Sequence, residues 1–223
     1  DRLEYNQEQR YWMAFVYGCT YCVPTTYYIL NEFPDYENVD VPRLQRWWDK
    51  NKKKLYFQTD RRKVQSFNKF VDIFRSYQGV MGGSQVETYK RCVTYTDVWN
   101  LADNIYYFGR FSLFNYIEGL NELTLTKTEP TFFNLKDAES CRNGLCYTIG
   151  RPKMVTLHGK QSEEPIDYPL LQQKLLQLKS ELQLENPNLP VTLWNIETIL
   201  CAYKKLFWKT RYLGYYIDRQ QEE

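Results

Sequence analysis

Apolar side chains recur at three- and four-residue intervals along most of the chain, and the intervals are broken by prolines, glycines and capping residues rather than by strand-like alternation. That spacing restricts the chain to a mainly α fold with few or no strands. From Glu4 to Phe33, the residues Tyr11, Phe15, Gly18, Cys22 and Thr25 or Thr26 keep a helical period, predicting one long amphipathic helix that Pro24 kinks. Val41 and Pro42 open a second helix through Trp47 and Trp48 behind Asp40, a good N-cap, and Asp60 does the same for a third that runs to about Tyr77. The glycine-rich stretch at 78–84 reads as a loop or hinge. Helical pattern resumes over 87–92, 96–105 and 110–120, gives way to irregular chain over 124–134, and returns over 139–149. The stretch 151–167 is loop-like. A leucine-striped helix follows and ends at Asn186-Pro187-Asn188, and the last long helix spans 192–208. At 223 residues, a single helical domain over 1–223 is the expectation.

Composition removes several function classes. No apolar run approaches the roughly 18 residues of a membrane span, and the first ten residues are polar where a secretory signal would be apolar, so a soluble cytoplasmic protein with no membrane partner is expected. Six cysteines spread over such a chain read as buried thiols. Cys19 and Cys22 with Cys141 and Cys146 form at best a weak zinc pattern, because the second pair is spaced by four residues and positions 19 and 22 share one helix face where thiols pack as small apolar groups. Phosphate-binding glycine loops, nucleophile elbows and paired-histidine metal motifs are absent, and the lone His158 lies in a loop. Net charge is only +2, so any polyanion must be met by local clusters. Aromatic residues make up 17%, including 20 Tyr and 6 Trp, more than a core of this size requires, which predicts rings at the surface for flat partners such as bases.

Three clusters stand out. Lys52, Lys53 and Lys54, followed by Tyr56 and Phe57 and then Arg61, Arg62 and Lys63, join basic and aromatic residues at a helix junction. They read either as a solvated face or as contacts to a DNA backbone. The segment Asp137-Ala-Glu-Ser-Cys-Arg-Asn-Gly144 is a polar knot between apolar residues; it suggests a lined pocket in which Arg142 grips a phosphate, or simple capping of a helix start. In the last helix Glu197, Cys201, Lys204 and Lys205 share or adjoin one face, beyond Trp194, with Arg211 further on; a helix-face ion pair explains part of this.

The residues of Tyr11 to Phe33, the E-S-C-R-N-G-L-C block, and W-N-I-E-T-I-L-C-A-Y-K-K with R-Y-L-G-Y-Y-I-D-R resemble the phage amino acid:DNA transferases, also described as the alpha-glutamyl/putrescinyl-thymine pyrophosphorylase clade. The resemblance runs from about Gln9 to Arg219. It implies a helical fold similar to helix-hairpin-helix DNA glycosylases, although the glycine hairpin of those enzymes is not legible here. It also implies a role in making hypermodified thymine in bacteriophage DNA, within the cytoplasm of the infected host. In that chemistry an amine, from an amino acid such as glycine or glutamate or from putrescine, displaces pyrophosphate from 5-pyrophosphomethyl-deoxyuridine in DNA. No resident cofactor is implied, though Mg2+ can accompany the pyrophosphate.

Such a reaction asks for base flipping with aromatic support, and Trp12, Tyr17, Tyr21 and Trp194 are the base-stacking candidates, with Phe108 beside them. Charge on the leaving pyrophosphate calls for Arg142, Lys204, Lys205 and Arg211. The attacking amine must lose a proton, for which Asp137, Glu139 and Glu197 are open choices, and Arg110 and Asn143 are candidates for holding the amine substrate. A base glycosylase or lyase, and a non-catalytic DNA-binding accessory or anti-defence protein, are the competing readings.

Overall fold

The structure, a computed structural model, describes residues 5–157, 160–212 and 214. Among the described residues the fold is mainly α, as the periodicity predicts, and the sole β pairing is an isolated bridge between Leu157 and Lys160. Two compact units divide the chain, Asp1–Glu129 and Pro130–Glu223. None of the described helices is long and apolar enough to cross a membrane. His158 and the chain from Tyr215 onward lie outside the described residues.

The first unit holds α1 (Gln7–Thr20), α2 (Val23–Glu32), α3 (Val41–Asn51), α4 (Phe67–Met81), α5 (Gln85–Tyr89), α6 (Tyr95–Ala102) and α7 (Arg110–Leu123). Its local signals are mostly those in the sequence. Asp40 caps α3 by accepting from the Arg43 amide at 3.1 Å. The long first helix, however, is two helices rather than one kinked rod. Tyr21 takes a left-handed conformation (φ 48°) to end α1, Cys22 is extended, and Pro24 sits in the first turn of α2. A proline inside a helix clashes with the carbonyl four residues back, whereas in a first turn its missing N–H costs nothing. Asp60 likewise does not start the third helix: Thr59–Gln65 is a 3-10 segment and α4 begins after Ser66. The predicted hinge is also shorter than expected, since α4 continues to Met81 and is stopped by Gly82 (φ +62°).

The core of this unit is built on α1 and α7. A Cβ on Gly18 would lie 3.2 Å from Tyr116 Cβ, so the glycine allows the two helices to approach closely. Around that seam Tyr11, Phe15, Tyr77, Tyr89 and Tyr116 are buried, which absorbs part of the aromatic excess. Their hydroxyls are satisfied in pairs: Tyr89 with Tyr116 at 2.6 Å, Tyr11 with Thr126 at 2.8 Å, and Tyr77 donating to Gln85. Gln85 in turn donates to both the carbonyl and the carboxylate of Glu8, and the same carboxylate accepts from the amides of Gln85 and Val86. Glu8 thereby ties the start of α5 to α1, and its hydrogen bonds hold its pKa below the usual carboxylate range despite burial.

The second unit contains α8 (Glu139–Thr148), α9 (Tyr168–Glu185) and α10 (Leu193–Phe207). Thr192 and Asn195 form a reciprocal capping box at the start of α10. Leu171 and Leu175 are the fully buried part of the α9 leucine stripe, while Leu176 and Leu184 face solvent.

Candidate functional site

The polar knot of the sequence and the C-terminal helix meet inside the second unit. α8 and α10 pack so closely that a Cβ on Gly144 would lie 2.1 Å from the Leu200 carbonyl oxygen. Only glycine leaves room for that backbone. The approach brings the first turn of α8 against the last turns of α10, and Lys204 Nζ donates to Ser140 Oγ at 2.6 Å. Lys204 is 7% exposed. Burial pushes its ammonium below the usual lysine range; Lys205 and Arg211 push the same way, and Cys201 and Glu139 oppose them. Its Nζ stands 4.9 Å from the centre of the Trp208 ring, with Lys205 Nζ 5.5 Å from the same ring. Trp208 is held in place by its own N–H bond to the Tyr147 hydroxyl at 2.7 Å.

Neither Asp137 nor Ser140 caps α8. Ala138 occupies the cap position with no side-chain bond, and the Asp137 carboxylate accepts from Asn134 at 2.8 Å in the preceding turn. Glu139 is exposed at the first position of α8, where a negative charge suits the helix dipole. Glu197 is buried on the same face of α10 as Lys204, and Trp194 is buried one turn earlier.

Arg142 and Asn143 are committed to the framework. The Arg142 guanidinium, buried, donates from Nη1 to the carbonyls of Leu135 (2.8 Å) and Lys136 (2.7 Å) and from Nη2 to the Thr156 hydroxyl (2.8 Å). Asn143 pairs with the Thr156 backbone, donating to its carbonyl at 2.6 Å and accepting from its amide at 3.1 Å. Together they stitch the chain before α8 and the loop after it to the helix.

The remaining predicted residues lie in the first unit. Trp12 is a core residue, 1% exposed, whose indole N–H donates to the Phe33 carbonyl at 2.8 Å, and Phe108 is also buried. Tyr17 and Tyr21 are half-buried neighbours, ring centres 5.3 Å apart, and Tyr21 meets the edge of Phe111 at 5.9 Å. Arg61 is buried with its guanidinium 5.2 Å from the centre of the Phe111 ring, and Arg110 stands 4.7 Å from the Phe114 ring at the start of α7. Lys52, Lys53, Lys54, Arg62 and Lys63 are exposed. The basic cluster is thus divided: Arg61 faces inward and its neighbours outward.

Two members of those clusters to which the sequence assigns no role of their own carry much of the geometry. Ser140 is the partner of Lys204, and Tyr56 is 65% exposed beside the lysines, its backbone N–H and carbonyl both bonded to Thr25 Oγ1 (2.8 and 2.7 Å). A hydroxyl one residue into a helix and an aromatic after a lysine run were the available signals. Among the described residues no group of three or more His, Cys, Asp or Glu is arranged to hold a metal ion.

Comparison with known proteins gives two matches and one absence. The serinyltransferase of Salmonella phage ViI is 28% identical over 242 aligned residues, covering 97% of this chain. The chain spans 58% of that relative's length. No solved structure matches. The family model for amino acid:DNA transferases matches residues 2–212, nearly everything from the first helix to the end of the described chain. This chain belongs to the amino acid:DNA transferase family.

Proposed function

We propose that the protein transfers an amino acid or a related amine onto DNA, joining it to the C5 methylene of a 5-pyrophosphomethyl-deoxyuridine and releasing pyrophosphate. The observation that carries this reading is the convergence in the second unit of Lys204, Lys205 and Arg211 with the first turn of α8. Cations with a helix N-terminus suit a departing diphosphate, because its charge grows as the carbon–oxygen bond breaks. Glu139 receives a proton from the incoming ammonium; its exposure at the same helix end supports this over the buried Glu197. No resident cofactor enters the reaction so written; a Mg2+ arriving with the pyrophosphate shares its charge with these cations. The cytoplasm of an infected bacterium is where such DNA is met.

Within the first unit, the half-buried neighbouring rings of Tyr17 and Tyr21 are of the kind on which a DNA base stacks. The exposed Lys52, Lys53 and Lys54 serve as backbone contacts, with Lys54 Nζ 5.9 Å from the Tyr28 ring. Each lysine that neutralises a phosphate contributes about 0.9 to the slope of log affinity against log salt, so a triple alanine variant should lose up to about 2.7 from that slope. Binding isotherms over a salt series measure this, and an unchanged slope removes these lysines from the interface.

The transferase reading is tested by incubating the protein with pyrophosphomethylated DNA and separate amines (serine, glycine, glutamate, putrescine), then digesting the DNA and weighing its nucleosides. The expected product is an intact nucleoside that has gained one amine and lost pyrophosphate, and is therefore lighter than the pyrophosphomethyl nucleoside by the difference between the two. Free base or abasic sites in its place would mean a glycosylase, and unchanged nucleosides with every amine would end the transferase reading.

A further inference from the structure

Lys204 and Ser140 form a unit that charge neutralisation alone does not explain. A lysine meant only to attract an anion does so best when exposed and fully protonated. Lys204 instead is 7% exposed, and its short bond goes to a neutral hydroxyl at 2.6 Å. Around it stand Glu139 and Ser140 from α8, Cys201, Lys205 and Trp208 along α10 and just past its end, and Arg211 beyond. The helices that carry the pair approach closely at Gly144 and Leu200, which brings the start of α8 beside the end of α10 and the two side chains within 2.6 Å. A hydroxyl in such a place, backed by an amine in a dry setting, is the arrangement by which a lysine accepts protons.

We propose that Ser140 and Lys204 are the proton-transfer pair of the reaction, the Ser140 hydroxyl relaying to the Lys204 amine the proton that the attacking nucleophile gives up. This rests on the transferase reading above. As the nucleophile's nitrogen or oxygen bonds to the C5 methylene, the bond from that carbon to the pyrophosphate oxygen breaks and the electron pair leaves with pyrophosphate. The nucleophile's proton passes to Ser140 Oγ while the Ser140 proton passes to Lys204 Nζ. The resulting ammonium then returns a proton to the departing pyrophosphate, restoring the neutral amine. The net exchange is one N–H or O–H bond and one C–O bond for one new bond to carbon and one protonated pyrophosphate. The direction of the Lys204 pKa agrees, since a lowered value leaves more neutral amine at working pH.

The test uses the full chain. In wild type, kcat for amine transfer should rise with pH through a lysine ionisation below the ordinary lysine value. Ser140→Ala should lose at least about 100-fold in kcat with the KM for DNA within threefold, as removal of a positioned proton carrier does. Lys204→Arg keeps the charge but stays protonated, and should lose kcat and the pH-dependent rise together. Lys204→Met keeps the buried stem without charge, and its circular dichroism spectrum and melting midpoint report whether the fold survives. Independently of activity, the 13Cε signal of Lys204 in lysine-labelled protein should titrate below the usual lysine range. The pair is overturned if folded Ser140→Ala and Lys204→Met transfer as fast as wild type, or if the Lys204 signal titrates at or above the ordinary value. Failure of wild type to act on any amine would count against the transferase reading, and the titration would still judge the pair.

Discussion

Gly144→Ala is expected to destabilise the second unit by about 3 kcal/mol or more, the upper end of what over-packing costs, and to remove the proposed transfer to DNA with it. The added carbon would lie 2.1 Å from the Leu200 carbonyl oxygen and 2.7 Å from its carbon, both backbone atoms that no rotamer change can move. α8 and α10 would have to part, and parting them pulls Ser140 away from Lys204. Urea unfolding monitored by circular dichroism measures the loss, and nucleoside mass measures the activity. Gly79→Ala is the control: Gly79 lies within α4, nothing stands within 4 Å of its added carbon, and alanine there should be neutral or stabilising by up to about 1 kcal/mol. A Gly144→Ala protein as stable as wild type would mean that the two helices do not pack as closely as the structure has them.

Arg142→Ala should also be felt first in stability, by about 3 kcal/mol or more. Three hydrogen bonds from a buried cation are lost, and the carbonyls of Leu135 and Lys136 with the Thr156 hydroxyl are left without that donor. Arg142→Lys should not rescue it, because a single ammonium cannot reproduce a planar fork that reaches both carbonyls and the hydroxyl. Thr156→Val is the milder companion, at about 1 kcal/mol for one hydroxyl partner. The sequence reading puts Arg142 on the pyrophosphate, which predicts the opposite pattern: transfer abolished in a protein of unchanged stability. Urea midpoints beside transfer rates decide between the two. Nε of Arg142, buried, is the one nitrogen of that guanidinium with no hydrogen-bond partner among the described residues.

The helices themselves were largely legible because their signals are local. The start of α3 follows from Asp40 and Pro42, and α8, α9 and α10 fall close to their predicted bounds. Misses occurred where two local preferences compete. Pro24 permits either a kink or a new first turn, and the chain took the second by turning Tyr21 left-handed. Asp60 and Ser66 are both plausible helix starters, and α4 begins after Ser66. The aromatic excess predicts some rings at the surface without saying which: Tyr56 and Tyr106 are exposed, whereas Tyr77, Tyr89 and Tyr116 form a buried cluster whose hydroxyls find partners. Nothing in spacing separates those cases, because a tyrosine suits either setting when its hydroxyl is satisfied.

By itself the sequence determined the helical class, the cap of α3 and the chemical inventory at the two ends of the second unit, since these depend on residues three or four apart. Tertiary packing alone decided which of the polar residues are free to act. Arg142, Asn143, Lys204 and Glu139 look alike as polar members of two short motifs, yet one pair is spent on backbone carbonyls and the loop at Thr156, while Lys204 is left facing a hydroxyl. The difference arises where a glycine lets one helix backbone touch another and so brings Ser140 and Lys204, 64 residues apart along the chain, together; a side chain's availability depends on what that contact buries.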